Sequence, residues 1–327
     1  MPSTPSPGFR TQREHVFGLF AQGHYESALA EADAMRRRYP SRGEIPFWIA
    51  CGLSEIGRSD ESLTVLRQAS EGGLWWPAEW LLDDEDLAPL HGSEGLRDVV
   101  AASRRLREAH VRDHRTPDPV VLTPASAAGA VKAPAGRAPG LLVALHGWGE
   151  QIADFAESWR AAAYAGLFVV VPESSQELTP EFFVWDDRER ARDDVAHALS
   201  PLCEHGRIDE RRSLYAGFSQ GGGLAVSWAL AGGPLPTAAF LALGTGLSDV
   251  APGALGALDE AVARGARGRL IVGDADEALD DARALHEALA HAGVACELAV
   301  VPGLGHDLPD DLDERLTEAL GLLLPGS

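Results

Sequence analysis

Gly217-Phe218-Ser219-Gln220-Gly221 sets a serine between two glycines, with an apolar run before it at 213–216 and Leu224, Val226, Trp228 and Leu230 after it. A serine hydroxyl is a poor nucleophile until a base takes its proton, and that base needs a carboxylate to orient it. The spacing alone carries little weight, because a chain with 35 glycines produces it by chance roughly 0.2 times. Context gives it meaning. A short strand turning sharply into a helix strains the backbone and lifts the serine Oγ clear of the sheet. Flanking glycines let the two elements approach where a Cβ would clash. The bland alternative is a glycine-rich loop ahead of a helix.

An acid and then a histidine should follow such a serine, each at the end of a strand. The apolar run 269–272 leads into Asp274-Ala275-Asp276, and the run 297–301 leads through Gly303-Leu304-Gly305 to His306. His306, after a glycine-broken loop and just before a helix, is the expected base, with Asp274 and Asp276 both open as the acid. His197, His286 and His291 fall mid-helix and read as surface or packing residues. The tetrahedral oxyanion also needs N–H donors. One is expected from the backbone of Gln220. The other should come from the loop His146-Gly147-Trp148-Gly149 after the run 141–145, with the Trp148 N–H as the candidate and His146 as a brace for the loop.

HGWGE, GFSQGGGLA, the GxxD at 273–276 and the GxGH at 303–306 together resemble the phospholipase/carboxylesterase branch of the α/β-hydrolases, which includes acyl-protein thioesterases and small bacterial carboxylesterases. The resemblance covers roughly 118–325, and GFSQGG is its most specific element. It implies that Asp276, the fourth residue of the GxxD, is the acid, with Asp274 the runner-up. It also implies that Trp185-Asp186 flanks the mouth of the site. Two positions depart from the pattern: Val272 precedes Gly273 where the family has histidine, and no proline follows Asp276.

The elements that must position these residues are legible as alternating strands and helices. Apolar runs at 141–145, 167–171, 213–216, 238–243, 269–272 and 297–301 alternate with helical stretches at 155–165, 188–204, 224–231, 278–292 and 312–324. Runs that are apolar throughout imply strands buried on both faces, hence an α/β class with a mostly parallel sheet. Reacting groups in such sheets gather at the carboxyl ends of the strands. Residues 119–123 read as an opening edge strand.

Ahead of this lies an all-helical region over 11–112, after a Pro/Ser-rich N-terminus at 1–10 expected to be disordered. Gly23-His-Tyr-Glu-Ser-Ala28-Leu29 recurs as Gly57-Arg-Ser-Asp-Glu-Ser62-Leu63, and this spacing of 34 residues, with small residues at the helix crossings, resembles tetratricopeptide repeats. Two units bury too little to stand alone. The stretch around Trp75, Trp76 and Trp80 and a helix over 95–110 are therefore expected to cap them, or the catalytic domain to do so. The three tryptophans suit a core between repeat and cap better than a groove for a partner. The acidic run 83–86 reads as a solvated turn rather than a metal site. Residues 113–140 shift to Pro, Ala and Gly and form the linker, and 141–327 the catalytic domain.

A net charge of −21 argues against nucleic acid and against an anionic membrane surface. Cys51, Cys203 and Cys296 are too few and scattered for a disulfide framework or a zinc site. With neither a signal peptide nor a membrane span in view, a cytoplasmic location is expected. The chemistry calls for no metal or organic cofactor. Phe182, Phe183, Trp185, Leu247 and Leu308 are the candidates to line an acyl or aryl pocket. The expected substrate is a small ester, with a thioesterase or acyltransferase using the same serine as the alternative. Another class of alternative is a scaffold whose repeats bind a protein partner or self-associate while the hydrolase domain is inert.

Overall fold

The computed structural model describes residues 8–113, 118–124, 138–203 and 208–324. Most of the N-terminal stretch 1–10 and much of the linker 113–140 lie outside them. The chain divides into two units, one comprising residues 1–115 and Glu177–Phe182, the other the remainder.

In the helical unit, α1 (Phe9–Ala21), α2 (Tyr25–Arg38), α3 (Glu44–Glu55) and α4 (Ser59–Glu71) pack each on the next. The recurring Gly23 and Gly57 adopt φ of +75° and +78°. They close matching turns, in which His24 N–H bonds Leu19 O and Arg58 N–H bonds Leu53 O. Only glycine takes this left-handed position without strain, so the spacing of 34 marks two equivalent helix-to-helix turns. Helix α5 (Ala78–Asp83), a 3-10 turn at Glu85–Leu90 and α6 (Glu94–Asp113) follow. Trp76, Leu81, Leu87, Leu90 and Leu96 form one core with Phe47 and Leu66 of α3 and α4. Trp75 and Trp76 are buried, and the Trp76 indole N–H donates to Gly43 O at 2.7 Å.

The second unit is built on a seven-stranded sheet. Its strands are β1 (Val120–Leu122), β2 (Leu141–Leu145), β3 (Phe168–Val171), β6 (Leu214–Phe218), β7 (Ala239–Leu243), β8 (Arg267–Gly273) and β9 (Ala295–Val301), in the order β1-β3-β2-β6-β7-β8-β9. Only β1 runs antiparallel, against β3. A hairpin of β4 (Glu177–Thr179) and β5 (Phe182–Phe183) stands apart from it. Side chains alternate across the sheet. Leu141, Val143 and Leu145 meet α9 (Arg188–Cys203), α10 (Gln220–Ala231), α11 (Pro252–Leu255), α12 (Leu258–Ala263) and α13 (Leu279–Ala292) in one core. Leu142 and Ala144 share the other core with α7 (Ile152–Glu157), α8 (Arg160–Tyr164) and α14 (Leu312–Leu323). Burial on both faces accounts for the uninterrupted apolar runs. Strand β9 lies at the sheet's edge and is half-exposed.

Two local expectations need correction. The single helix expected over 155–165 is two short ones. Ser158 N–H bonds Phe155 O and Trp159 N–H bonds Ala156 O, and this i→i+3 tightening breaks the α-helical path while sending Trp159 fully into the core. The segment after β3 contains the β4–β5 hairpin, and its residues Glu177–Phe182 group with the helical unit rather than with the domain expected over 141–327.

Candidate active site

Ser219 sits between β6 and α10 with φ +52° and ψ −123°, a conformation rare outside glycine and of order 1–3 kcal/mol uphill. The fold holds it there from both sides: Ser219 N–H bonds Leu243 O of β7 at 2.8 Å, and Gly223 N–H of α10 bonds Ser219 O at 3.1 Å. The flanking glycines have a steric reason. A Cβ on Gly217 would collide with the Gly221 backbone, and one on Gly221 with the carbonyls of Leu145 and His146. The loop after β2 is thereby packed against the first turn of α10.

His306 lies beyond β9, before α14. Its Nε2 is 3.0 Å from Ser219 Oγ, and its Nδ1 is 3.0 and 3.1 Å from the two carboxylate oxygens of Asp276. An ionised carboxylate only accepts, so Nδ1 must carry the proton and Nε2 is left to accept the Ser219 O–H. Burial works against the charge on Asp276. The hydrogen bond with His306 and the Ala278 N–H at 2.9 Å outweigh it and hold its pKa below the usual carboxylate range. The His306 ring rests on Phe218, 4.9 Å between centroids.

The neighbouring acid is engaged elsewhere. Asp274 accepts the Gly303 N–H at 2.6 Å and so clasps the loop that presents His306. Ala275 N–H bonds Leu304 O at 3.0 Å in the same clasp. Gly273 permits this approach, since a Cβ there would overlap Leu304 O. Sequence reading weighed Asp274 only as a rival to Asp276 and missed its part in the loop. Its place at the end of β8 was the available signal.

The loop His146–Gly149 is braced from within. Gly147 N–H donates to Glu150 Oε2 at 2.8 Å and Gly149 N–H to Phe183 O at 2.8 Å. Trp148 N–H lies between these two engaged groups, and its side chain is 42% exposed. Glu150, part of the HGWGE stretch but given no role from sequence, is the residue that fixes the turn. His146 is fully buried, and burial pushes its pKa down to about 4. Its Nδ1 contacts Gly147 O at 2.9 Å and its Nε2 receives the Ser174 N–H at 3.3 Å, so the ring is neutral with its proton on Nδ1. Among the described residues, Gln220 N–H at the start of α10 has no backbone or side-chain acceptor. The Gln220 side chain receives Trp185 N–H and donates to Asp186 Oδ1, both at 2.8 Å.

Three of the five expected pocket residues are buried and packed against neighbours. Phe182 is buried in the helical unit, edge-on to Trp80 at 5.5 Å. Phe183 is buried, and its carbonyl accepts the Gly149 N–H. Trp185 is buried against the His146 ring at 4.6 Å and donates its indole N–H to His146 O. Aromatic bulk in the segment reads equally well as pocket or as packing, and here all three side chains are buried, with the Trp185 indole also hydrogen-bonded. Leu247 and Leu308 are half-buried, each against a different face of the sheet.

No family model and no curated protein sequence matches the chain. Solved structures do. An uncharacterized protein from Bacillus cereus is 22% identical with a TM-score of 0.52, covering 98% of this chain and 100% of its own. A puromycin-hydrolyzing peptidase from Mycobacterium tuberculosis is 17% identical with a TM-score of 0.50, over 64% of this chain and 37% of its own. Esterase PE8 is 21% identical over 63% of this chain and 99% of its own, with a TM-score of 0.49. With the strand order and the serine turn above, the first two define the class: the second unit has the α/β-hydrolase fold, and it follows an all-helical N-terminal region. No helix among the described residues is long and apolar enough to cross a membrane.

Proposed function

We propose that this chain is a serine hydrolase of carboxylic esters, working through an acyl-enzyme. The observation that carries the reading is His306, whose two ring nitrogens lie 3.0 Å from Ser219 Oγ and from Asp276 Oδ1. Ser219 Oγ attacks the ester carbonyl while His306 Nε2 takes its proton, and the carbonyl electron pair moves onto oxygen. The N–H groups of Gln220 and Trp148 receive that oxyanion, in a loop already fixed by Glu150 and His146. The C–O bond then breaks as His306 returns the proton to the leaving alkoxide. Water repeats the sequence on the acyl-serine, with His306 again as base, releasing the carboxylic acid and restoring Ser219. Asp276, held ionised, keeps the proton on Nδ1 and stabilises the imidazolium.

The small-molecule ester enters beside Trp148, whose exposed indole adjoins the oxyanion loop, with Leu247 and Leu308 as the remaining candidates for acyl contacts. A fluorophosphonate probe should label the full-length protein, and labelling and p-nitrophenyl ester hydrolysis should both vanish in Ser219→Ala. Labelling that persists in that variant, or none in the folded wild type, rejects the assignment.

A further inference from the structure

Within the helical unit, α1, the start of α2, α3 and the acidic stretch where the 3-10 turn begins line a groove of about 400 Å³. Its walls are the rings of Phe17, Phe20, Tyr25, Phe47 and Trp48. Phe17 meets Trp48 edge-on at 4.9 Å, and Phe20 lies 6.0 Å from Tyr25. Gly52 forms part of the floor, and a Cβ there would run into the Phe20 ring.

The same groove is lined by three carboxylates, Glu55, Asp84 and Asp86. Among the described residues no basic side chain forms an ion pair with any of them. Asp84 Oδ1 accepts only the Asp86 N–H, and the charges felt by Asp86 are the other acids Asp84, Glu55 and Glu85. Partial desolvation of its carboxylate, although the residue as a whole lies at the exposed rim, and this repulsion push the Asp86 pKa up. Cys51 Sγ lies within 4.8 Å of oxygens from Asp84 and Asp86, and burial with the nearby acids raises its pKa far above the ordinary thiol value, so it faces the groove as a neutral thiol.

These features select the ligand's chemistry. Ring faces and unpaired carboxylates both attract a cation, while the walls are apolar enough for a hydrocarbon stem. A hard divalent ion needs more oxygens than two carboxylates beside a protonated thiol and phenyl rings provide. A guanidinium, planar and weakly hydrated, stacks on rings and takes carboxylates two at a time, where a lysine ammonium does neither as well. Phe17, Glu55 and Asp86 are exposed on the rim, so the groove opens to a side chain entering from a chain that passes outside.

We propose that this groove docks an arginine side chain presented by a basic peptide segment of a partner protein. The assignment is independent of the esterase reading and adds a recognition role to the N-terminal unit. The test uses full-length protein and a fluorescein-labelled peptide with two arginines between leucines, followed by anisotropy. Binding is expected, weakened about tenfold or more by Asp84→Asn combined with Asp86→Asn, weakened again by Phe17→Ala, and lost for a citrulline peptide. Asparagine keeps the acceptor that bonds the Asp86 N–H, so the double variant tests charge rather than folding. Ester turnover should be unchanged in all of these variants. Absence of binding, or binding indifferent to these substitutions, overturns the proposal. So does competition by free arginine amide as strong as by the peptide, which assigns a small guanidinium ligand rather than a partner protein. Binding of Zn²⁺ that depends on Cys51, Asp84 and Asp86, without peptide binding, overturns it too.

Discussion

His146 offers a pH signature that follows from its burial. In the folded protein its ring is neutral with a pKa of about 4, against about 6.5 in an unfolded chain. Between these values the unfolded chain holds a proton that the folded chain lacks. Stability therefore falls as pH drops through about 6.5 and levels off below about 4. The two values give a loss of about 2 kcal/mol at pH 5 relative to pH 7.5, growing to roughly 3 kcal/mol at pH 4. Protonation would also remove the Nε2 acceptor of the Ser174 N–H and loosen the loop that carries Trp148. The assay is urea unfolding of wild type and His146→Gln at both pH values. The glutamine variant should be less stable at neutral pH, yet lose this part of the pH dependence. The difference between the two proteins cancels contributions from other titrating groups. Parallel pH profiles in the two proteins, or an NMR titration of the His146 ring centred near its ordinary value, would refute the reasoning.

Asp276→Asn should lower kcat/KM for a p-nitrophenyl ester by about three to four orders of magnitude, because an amide can favour the wrong histidine tautomer. Asp274→Asn retains an oxygen for the Gly303 N–H and should cost no more than about tenfold; the reverse ranking would move the acid to Asp274. Gly221→Ala should destabilise the second unit by at least about 1–3 kcal/mol, since its Cβ meets two immobile carbonyls, and a melting temperature equal to wild type would contradict the packing described. His306→Ala should reduce ester turnover by orders of magnitude while leaving the fold intact by circular dichroism, and near-normal turnover would remove it as the base.

What the sequence determined by itself is what depends on short-range pattern. The glycines around Ser219 announce a sharp turn because no other residue fits so close to backbone. Uninterrupted apolar runs announce strands covered on both faces. The paired glycines at 23 and 57 announce one turn used twice. The order serine, acid, histidine could be read along the chain without knowing how far apart the residues would end up.

Tertiary structure alone decided what depends on direction and on company. Asp274 and Asp276 are two residues apart at the end of one strand, yet one carboxylate meets a loop N–H and the other meets His306. Composition cannot express that difference, because it lies in where the chain aims each side chain. Phe182, Phe183 and Trp185 read as pocket walls because aromatic residues serve packing and binding alike, and their burial is visible only in the fold. The acidic run 83–86 is largely solvent-exposed, as its reading as a solvated turn implied, but only folding set Asp84 and Asp86 beside Cys51 and five rings drawn from α1, α2 and α3. A carboxylate's meaning is set by its neighbours in space, and sequence supplies only its neighbours along the chain.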